Sequence, residues 1–216
     1  MSYPKNTQKT IPGIIGGLGP LAHTIFEQIL IEQSTKRGAE RDQDHPLWLL
    51  INATTIPDRT QSLSGKAESC APWLIKYGKF LESAGVDFIV VPCNTAHAFH
   101  EQVQSQLQIP WIHLIDCTTQ FLVDNYQDTK KVGILATDGT LQSQLYHNSL
   151  LNAGFTPLSF QIGSESQKLV MNTIFDPSWG IKATGSQISP AAQKHLITLV
   201  DHLAKQGAEI NSGGMY

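Results

Sequence analysis

The 216-residue chain has no surplus of positive charge: 15 Lys and Arg stand against 18 Asp and Glu, for a formal net charge of −3. It also has no basic run and no interleaving of basic with aromatic residues, so a nucleic-acid partner is not expected. No apolar run approaches the roughly 20 residues that a bilayer demands, and the opening Met1–Thr10 is polar, without the hydrophobic stretch of a secretory leader. A cytoplasmic protein without a membrane partner is the expectation. Cysteine is scarce, at three residues (Cys70, Cys93, Cys117) with no CxxC, which favours free thiols in a reducing compartment over disulfides. The eight histidines form no HExxH and no Cys/His cluster with ligand spacing, so no metal site is expected; His97 and His100, three apart, read as packing residues. What the chain does have is 41% hydrophobic content, enough to supply the core of one large α/β domain or two small ones.

Strand and helix patterns alternate. Strands are expected at residues 11–15, 47–54, 86–91, 111–115, 131–136 and 156–161. Helices are expected at 21–34, 70–83, 96–107, 118–125, 141–153, 165–175 and 189–205. Alternation of this kind argues for parallel sheets with helices on both faces. An internal repeat runs through it. Gly13-Ile-Ile-Gly-Gly-Leu-Gly19-Pro-Leu21 aligns with Gly133-Ile-Leu-Ala-Thr-Asp-Gly139-Thr-Leu141, and Leu81-Glu-Ser-Ala-Gly85-Val-Asp87 aligns with Leu203-Ala-Lys-Gln-Gly207-Ala-Glu209. The expected fold is therefore α/β: two pseudo-symmetric parallel-sheet halves, residues 1–116 and 117–216, with the active site in the cleft between them.

The chemistry concentrates in loops that follow strands. Phe88-Ile-Val-Val-Pro-Cys-Asn-Thr-Ala-His97 places Cys93 where a buried strand gives way to a helix. Unpaired N–H groups at a helix start favour a thiolate, although an inert buried cysteine fits the same pattern. Gly17-Leu-Gly19-Pro-Leu-Ala22 satisfies G-x-G-x-x-A, but the second strand ends Asn52-Ala-Thr-Thr55 without the acidic residue that would hold a ribose. A small-anion loop or a plain tight turn both remain open. In Ile56-Pro-Asp-Arg-Thr60, Arg59 is either a carboxylate anchor or a surface arginine paired with Asp58. Cys117, at the junction of the two halves, reads as structural.

Five segments in order resemble one family, the cofactor-independent aspartate/glutamate racemases of the aspartate racemase branch. They are Gly16-Gly-Leu-Gly-Pro-Leu-Ala22, Ile56-Pro-Asp-Arg-Thr60, Val91-Pro-Cys-Asn-Thr-Ala-His97, Leu135-Ala-Thr-Asp-Gly-Thr140 and Gly180-Ile-Lys-Ala-Thr-Gly185. The resemblance runs from about Ile11 to Glu209. It implies a homodimer without cofactor or metal that acts on a small acidic amino acid or dicarboxylate. Cys93 would be one of two catalytic thiols. Arg59 and Lys182 would hold substrate carboxylates, and Leu18, Thr60, Asn94, Thr95, Ala96 and Thr137 would line the pocket.

The sequence departs from the family at the second thiol. Members of the family continue past the segment matching Gly207-Ala-Glu209 with an apolar strand, a cysteine followed by threonine, and a closing helix. Here the chain reads Ile210-Asn-Ser-Gly-Gly-Met-Tyr216, and the repeat carries Cys93 onto Met215. The second half is thus expected to lack the final strand, the second cysteine and the closing helix, and racemisation is expected to be impaired. Two alternatives stand beside it: a single-thiol decarboxylase or isomerase of a small dicarboxylate, and a non-catalytic remnant that binds acidic amino acids.

Overall fold

The computed structural model describes residues 10–185 and 187–213 of the chain. In chain order, β1 (Pro12–Gly16) leads into α1 (Pro20–Lys36), a 3-10 turn at Asp42–Asp44, β2 (Leu49–Asn52), α2 (Arg59–Leu63), α3 (Ala71–Ser83) and β3 (Phe88–Val90). A 3-10 helix at Asn94–Phe99 then runs into α4 (His100–Gln104), followed by α5 (Leu114–Asn125). The second series is β4 (Lys131–Leu135), α6 (Asp138–Gln142), α7 (Leu145–Asn152), β5 (Thr156–Ser159), α8 (Glu165–Phe175), α9 (Pro190–Lys205) and β6 (Ile210–Gly213).

Two parallel three-stranded sheets result, ordered β2-β1-β3 and β5-β4-β6, so the first strand of each series lies in the middle. The register carries the repeat. Gly13 pairs with Leu49 and Ile89, and Gly133 pairs with Leu158 and Asn211. One further device recurs at the start of each central strand. The Asp87 N–H donates to the Ile11 carbonyl while its carboxylate accepts from the Ile11 N–H at 2.6 Å. In the second half the Glu209 N–H donates to the Lys131 carbonyl while its carboxylate accepts from the Lys130 N–H at 2.6 Å. An acidic side chain thus satisfies a strand-end donor that the sheet itself leaves open.

Each central strand is apolar on both faces because helices cover both, and Ile14, Val132 and Ile134 are almost wholly buried. The first sheet packs one continuous core that includes Ile15, Leu74, Leu81, Ile89, Val103 and Trp111. The second sheet divides its core. Leu150 and Ile115 pack on one side of it, and Ile174, Leu199 and Leu203 on the other.

The sequence pattern misreads four places. Residues 111–115 are not a strand: Trp111 makes a single parallel bridge to Ile89, and α5 begins at Leu114, where the His113 ring accepts the Asp116 N–H and caps the helix. The helix expected at 96–107 opens as six residues of 3-10 helix. The helix expected at 141–153 is two helices, broken at Gln144, whose left-handed backbone (φ 56°) is held by its own side-chain amide donating to the Leu141 carbonyl. Finally, a third strand of the second series is present where none is expected. Ile210–Gly213 forms β6 because backbone groups pair along the open edge of β4 whatever side chains they carry. Met215, the position matching Cys93, lies outside the described residues.

Candidate active site

Cys93 sits two residues beyond Val91 and directly before the 3-10 helix, with extended backbone (φ −154°, ψ 109°) and its N–H donating to the Val91 carbonyl at 2.7 Å. It is partly exposed and lines the cleft. The other thiols differ. Cys70 is buried and donates to the Pro57 carbonyl; burial raises its pKa, opposed by the Ser62 hydroxyl and the Arg59 charge. Cys117 is exposed on α5.

Arg59, the first residue of α2, is 8% exposed. Its guanidinium donates to the Leu18 carbonyl at 2.8 Å and the Pro57 carbonyl at 3.0 Å, while Nε is buried without a partner among the described residues. The surface pairing with Asp58 does not occur, because the Asp58 carboxylate accepts the Gln61 N–H and caps α2. Arg59 therefore clamps the glycine loop, where Gly17 adopts φ 85° and a Cβ would stand 2.6 Å from the Ala53 nitrogen.

Lys182 reaches the cleft from the turn after α8. The Lys182 N–H donates to the Ile174 carbonyl at 3.1 Å, and Nζ lies 4.7 Å from the centre of the Phe175 ring. Its side chain is largely exposed as a whole, yet the ammonium end is crowded by the cleft wall. There burial, and then the Arg59 charge, pulls its pKa below the ordinary lysine value, opposed by Cys93 and Asp58. Among the described residues neither cation is in a salt bridge.

These groups surround a cavity of about 50 Å³, lined from the first half by Leu18, Asp58, Arg59, Thr60, Cys93, Asn94 and Thr95 and from the second by Thr137, Thr140, Phe175 and Lys182. Three hydroxyls close its floor in a triangle: Thr95 to Thr140 at 2.9 Å, and Thr137 to each of the others at 3.1 Å. Across the same seam the Tyr146 hydroxyl donates to Asn94 Oδ1 at 2.7 Å. The seam is tight because Gly139 has no side chain; a Cβ there would meet Thr60 Oγ1 at 2.8 Å and Thr95 Cγ2 at 3.0 Å. A larger outer compartment of about 510 Å³ shares Gly19, Ala22, Arg59 and Lys182 with the inner one, and Pro20, Leu21 and Ile181 make its wall mostly apolar.

Among the residues singled out by sequence, Ala96 stands apart. It is fully buried in the first-half core, because the 3-10 geometry turns it away from the cavity, and it is not on the wall. Thr140 closes one of the segments quoted above but is not among the pocket residues expected from sequence, although its place three residues after the N-cap Thr137 was a usable sign. Among the described residues no group of three or more His, Cys, Asp or Glu side chains converges as a metal site, and no helix is long and apolar enough to cross a membrane.

Residues 15–210 match the profile of the Asp/Glu/Hydantoin racemase family. The chain belongs to that family. Among its racemase relatives is the broad specificity amino-acid racemase RacX of Bacillus subtilis, 32% identical over 145 residues, a match that covers 66% of this chain and 61% of the relative. The glutamate racemase of Aquifex aeolicus is 31% identical over 86 residues, covering 38% of this chain and 34% of that one. In three dimensions this racemase-family chain is similar to the aspartate racemase of Picrophilus torridus, with a TM-score of 0.76 and 28% identity over 91% of this chain and 77% of that one. The chain thus spans less than two thirds of the length of the curated relatives it matches.

Proposed function

We propose that this protein moves a proton at the Cα of an acidic amino acid, with Cys93 as the acid/base group and without pyridoxal phosphate. One observation carries this reading: a cysteine and two cations that are in no salt bridge among the described residues, Cys93, Arg59 and Lys182, line a single small cavity. Two positive charges on one cavity, against the single carboxylate of Asp58 that caps α2, favour an anionic ligand. A substrate with two carboxylates satisfies both, one per cation. The Cys93 thiolate removes the Cα proton and becomes a thiol; the electron pair left on Cα spreads into the adjacent carboxylate, whose negative charge the cation beside it stabilises. Asn94, Thr95 and Thr137 supply further hydrogen bonds at the floor. A cytoplasmic homodimer with this site in each subunit is the assembly that goes with the reading.

The test is direct. Aspartate or glutamate should slow the labelling of Cys93 by iodoacetamide and should exchange its α-proton in D2O, and Cys93→Ser should abolish the exchange. Protection without exchange would leave the binding remnant, and neither protection nor exchange would overturn the reading of an acidic amino-acid substrate.

A second reading, turnover of a wider range of amino acids, has its own observation. The outer compartment is about ten times larger than the inner one and mostly apolar, which suits a longer uncharged side chain beyond Arg59 and Lys182. A comparison of leucine, methionine and arginine with aspartate in the exchange assay separates the two.

A further inference from the structure

We propose that His97 is a positioning residue for Cys93: its imidazole, fixed in one tautomer, holds the Cys93 carbonyl and thereby sets where the thiol points. The proposal rests on the reading of Cys93 as the acid/base group. His97 is 1% exposed, at the middle of the 3-10 helix that starts at Asn94. Its two ring nitrogens face opposite kinds of partner. Nδ1 lies 2.9 Å from the Cys93 carbonyl oxygen, which can only accept, and Nε2 lies 3.1 Å from the Leu114 backbone nitrogen, which can only donate. The hydrogen must therefore be on Nδ1 and the lone pair on Nε2, with the ring neutral. Its surroundings keep it so: burial, helped by the His113 and His100 rings, lowers its pKa to about 4 against the pull of the Cys93 and Ile112 carbonyls.

The consequence falls on Cys93. Its N–H is already bonded to the Val91 carbonyl, and its C=O is bonded to His97, so both peptides flanking Cys93 are fixed and χ1 is the freedom left to the sulfur. Six residues of 3-10 helix are longer than that geometry ordinarily sustains, and a side chain tying the first turn to the N-terminus of α5 supplies an anchor from outside the segment. The bond also ties this segment to the start of α5, the helix that runs from the first half into the second.

Three substitutions separate the roles of the two nitrogens. His97→Asn keeps a donor near the Nδ1 position, His97→Gln keeps an acceptor that reaches Leu114, and His97→Phe keeps only the ring. With folding checked by far-UV circular dichroism, His97→Phe should lower kcat for α-proton exchange about tenfold or more with KM within about threefold, since small displacements of a reacting group carry losses of this order. His97→Asn should recover most of the rate and His97→Gln should not. Labelling of Cys93 by iodoacetamide should slow in the same order, a readout that needs no substrate and so stands even if the racemase reading fails. Nitrogen-15 NMR of the ring should show hydrogen on Nδ1. Hydrogen on Nε2, wild-type rates and labelling in His97→Phe, or equal losses in all three variants, would overturn the proposal; the last would leave His97 as a packing residue only.

Discussion

The two halves of this protein share a strand order and differ in what their third strands are made of. Both place their first strand in the middle of a three-stranded parallel sheet, and both pin that strand with an acidic side chain from the segment before the third strand, Asp87 in one and Glu209 in the other. Their third strands differ in composition. In the first half Ile89 is fully buried, and the chain continues through Cys93 into the 3-10 helix and α4. In the second half the equivalent strand reads Ile-Asn-Ser-Gly, and its register still follows that of the first half. Backbone pairing along a central strand therefore suffices to set sheet order, whereas Cys93 is placed by the loop that follows the first half's third strand.

The comparison breaks most severely if the site does not need both halves. Arg59 comes from the first and Lys182 from the second, so Arg59→Ala and Lys182→Ala should each weaken aspartate binding by about 2–5 kcal/mol in calorimetry, while Lys36→Ala on α1 should not. A loss confined to one of the two would assign the ligand to a single half.

Acid should act chiefly through the first half. His97 is held neutral with its pKa near 4, and His113 is lowered as well, whereas His147 is the histidine lowered in the second half, where hydrogen bonds also lower the Asp176 and Glu209 carboxyls. An unfolded histidine titrates near 6.5, so between that pH and about 4 the unfolded chain binds protons that the folded chain refuses. Stability is full above about pH 6.5 and should fall by about 3 kcal/mol on account of His97 alone as pH drops to 4. Urea melts at pH 7, 5.5 and 4 measure this; a flat profile to pH 4.5 would contradict the buried neutral histidine.

A finer probe uses glycines that the repeat makes equivalent. Gly139 abuts Thr60 and Thr95, whereas nothing lies within 4 Å of a Cβ at Gly19. Gly139→Ala should cost about 2 kcal/mol in thermal or urea melts and Gly19→Ala less than about 1 kcal/mol. Equal effects would mean that the seam between the halves is looser than its distances imply.

Much of this was legible in the sequence. Apolar runs marked β1 to β5, and α8 lies where its periodicity places it, because those signals are local. The helix start at Leu114 was not legible, since it depends on the His113 cap overriding an apolar stretch, and β6 was not, since its polar residues are recruited by the edge of β4. Cys93 and Arg59 stood out by their places after strands. Thr140 and His97 did not, because what gives them meaning is 45 residues away at Thr95 in one case and 17 away at Leu114 in the other. Lys182 was reached only through the family resemblance; its turn carries no signal of its own.

The central claim is that Cys93, the one thiol lining the cleft among the described residues, works as proposed from a single face of Cα. The measurement that tests it most directly incubates the protein with each enantiomer of aspartate in D2O, following deuterium at Cα by NMR and handedness by chiral chromatography. The account predicts deuterium in one enantiomer with retention of configuration, because a thiolate that takes the proton and trades it with solvent returns deuterium to the same face. Rapid inversion of both enantiomers would contradict it and require a second acid opposite Cys93.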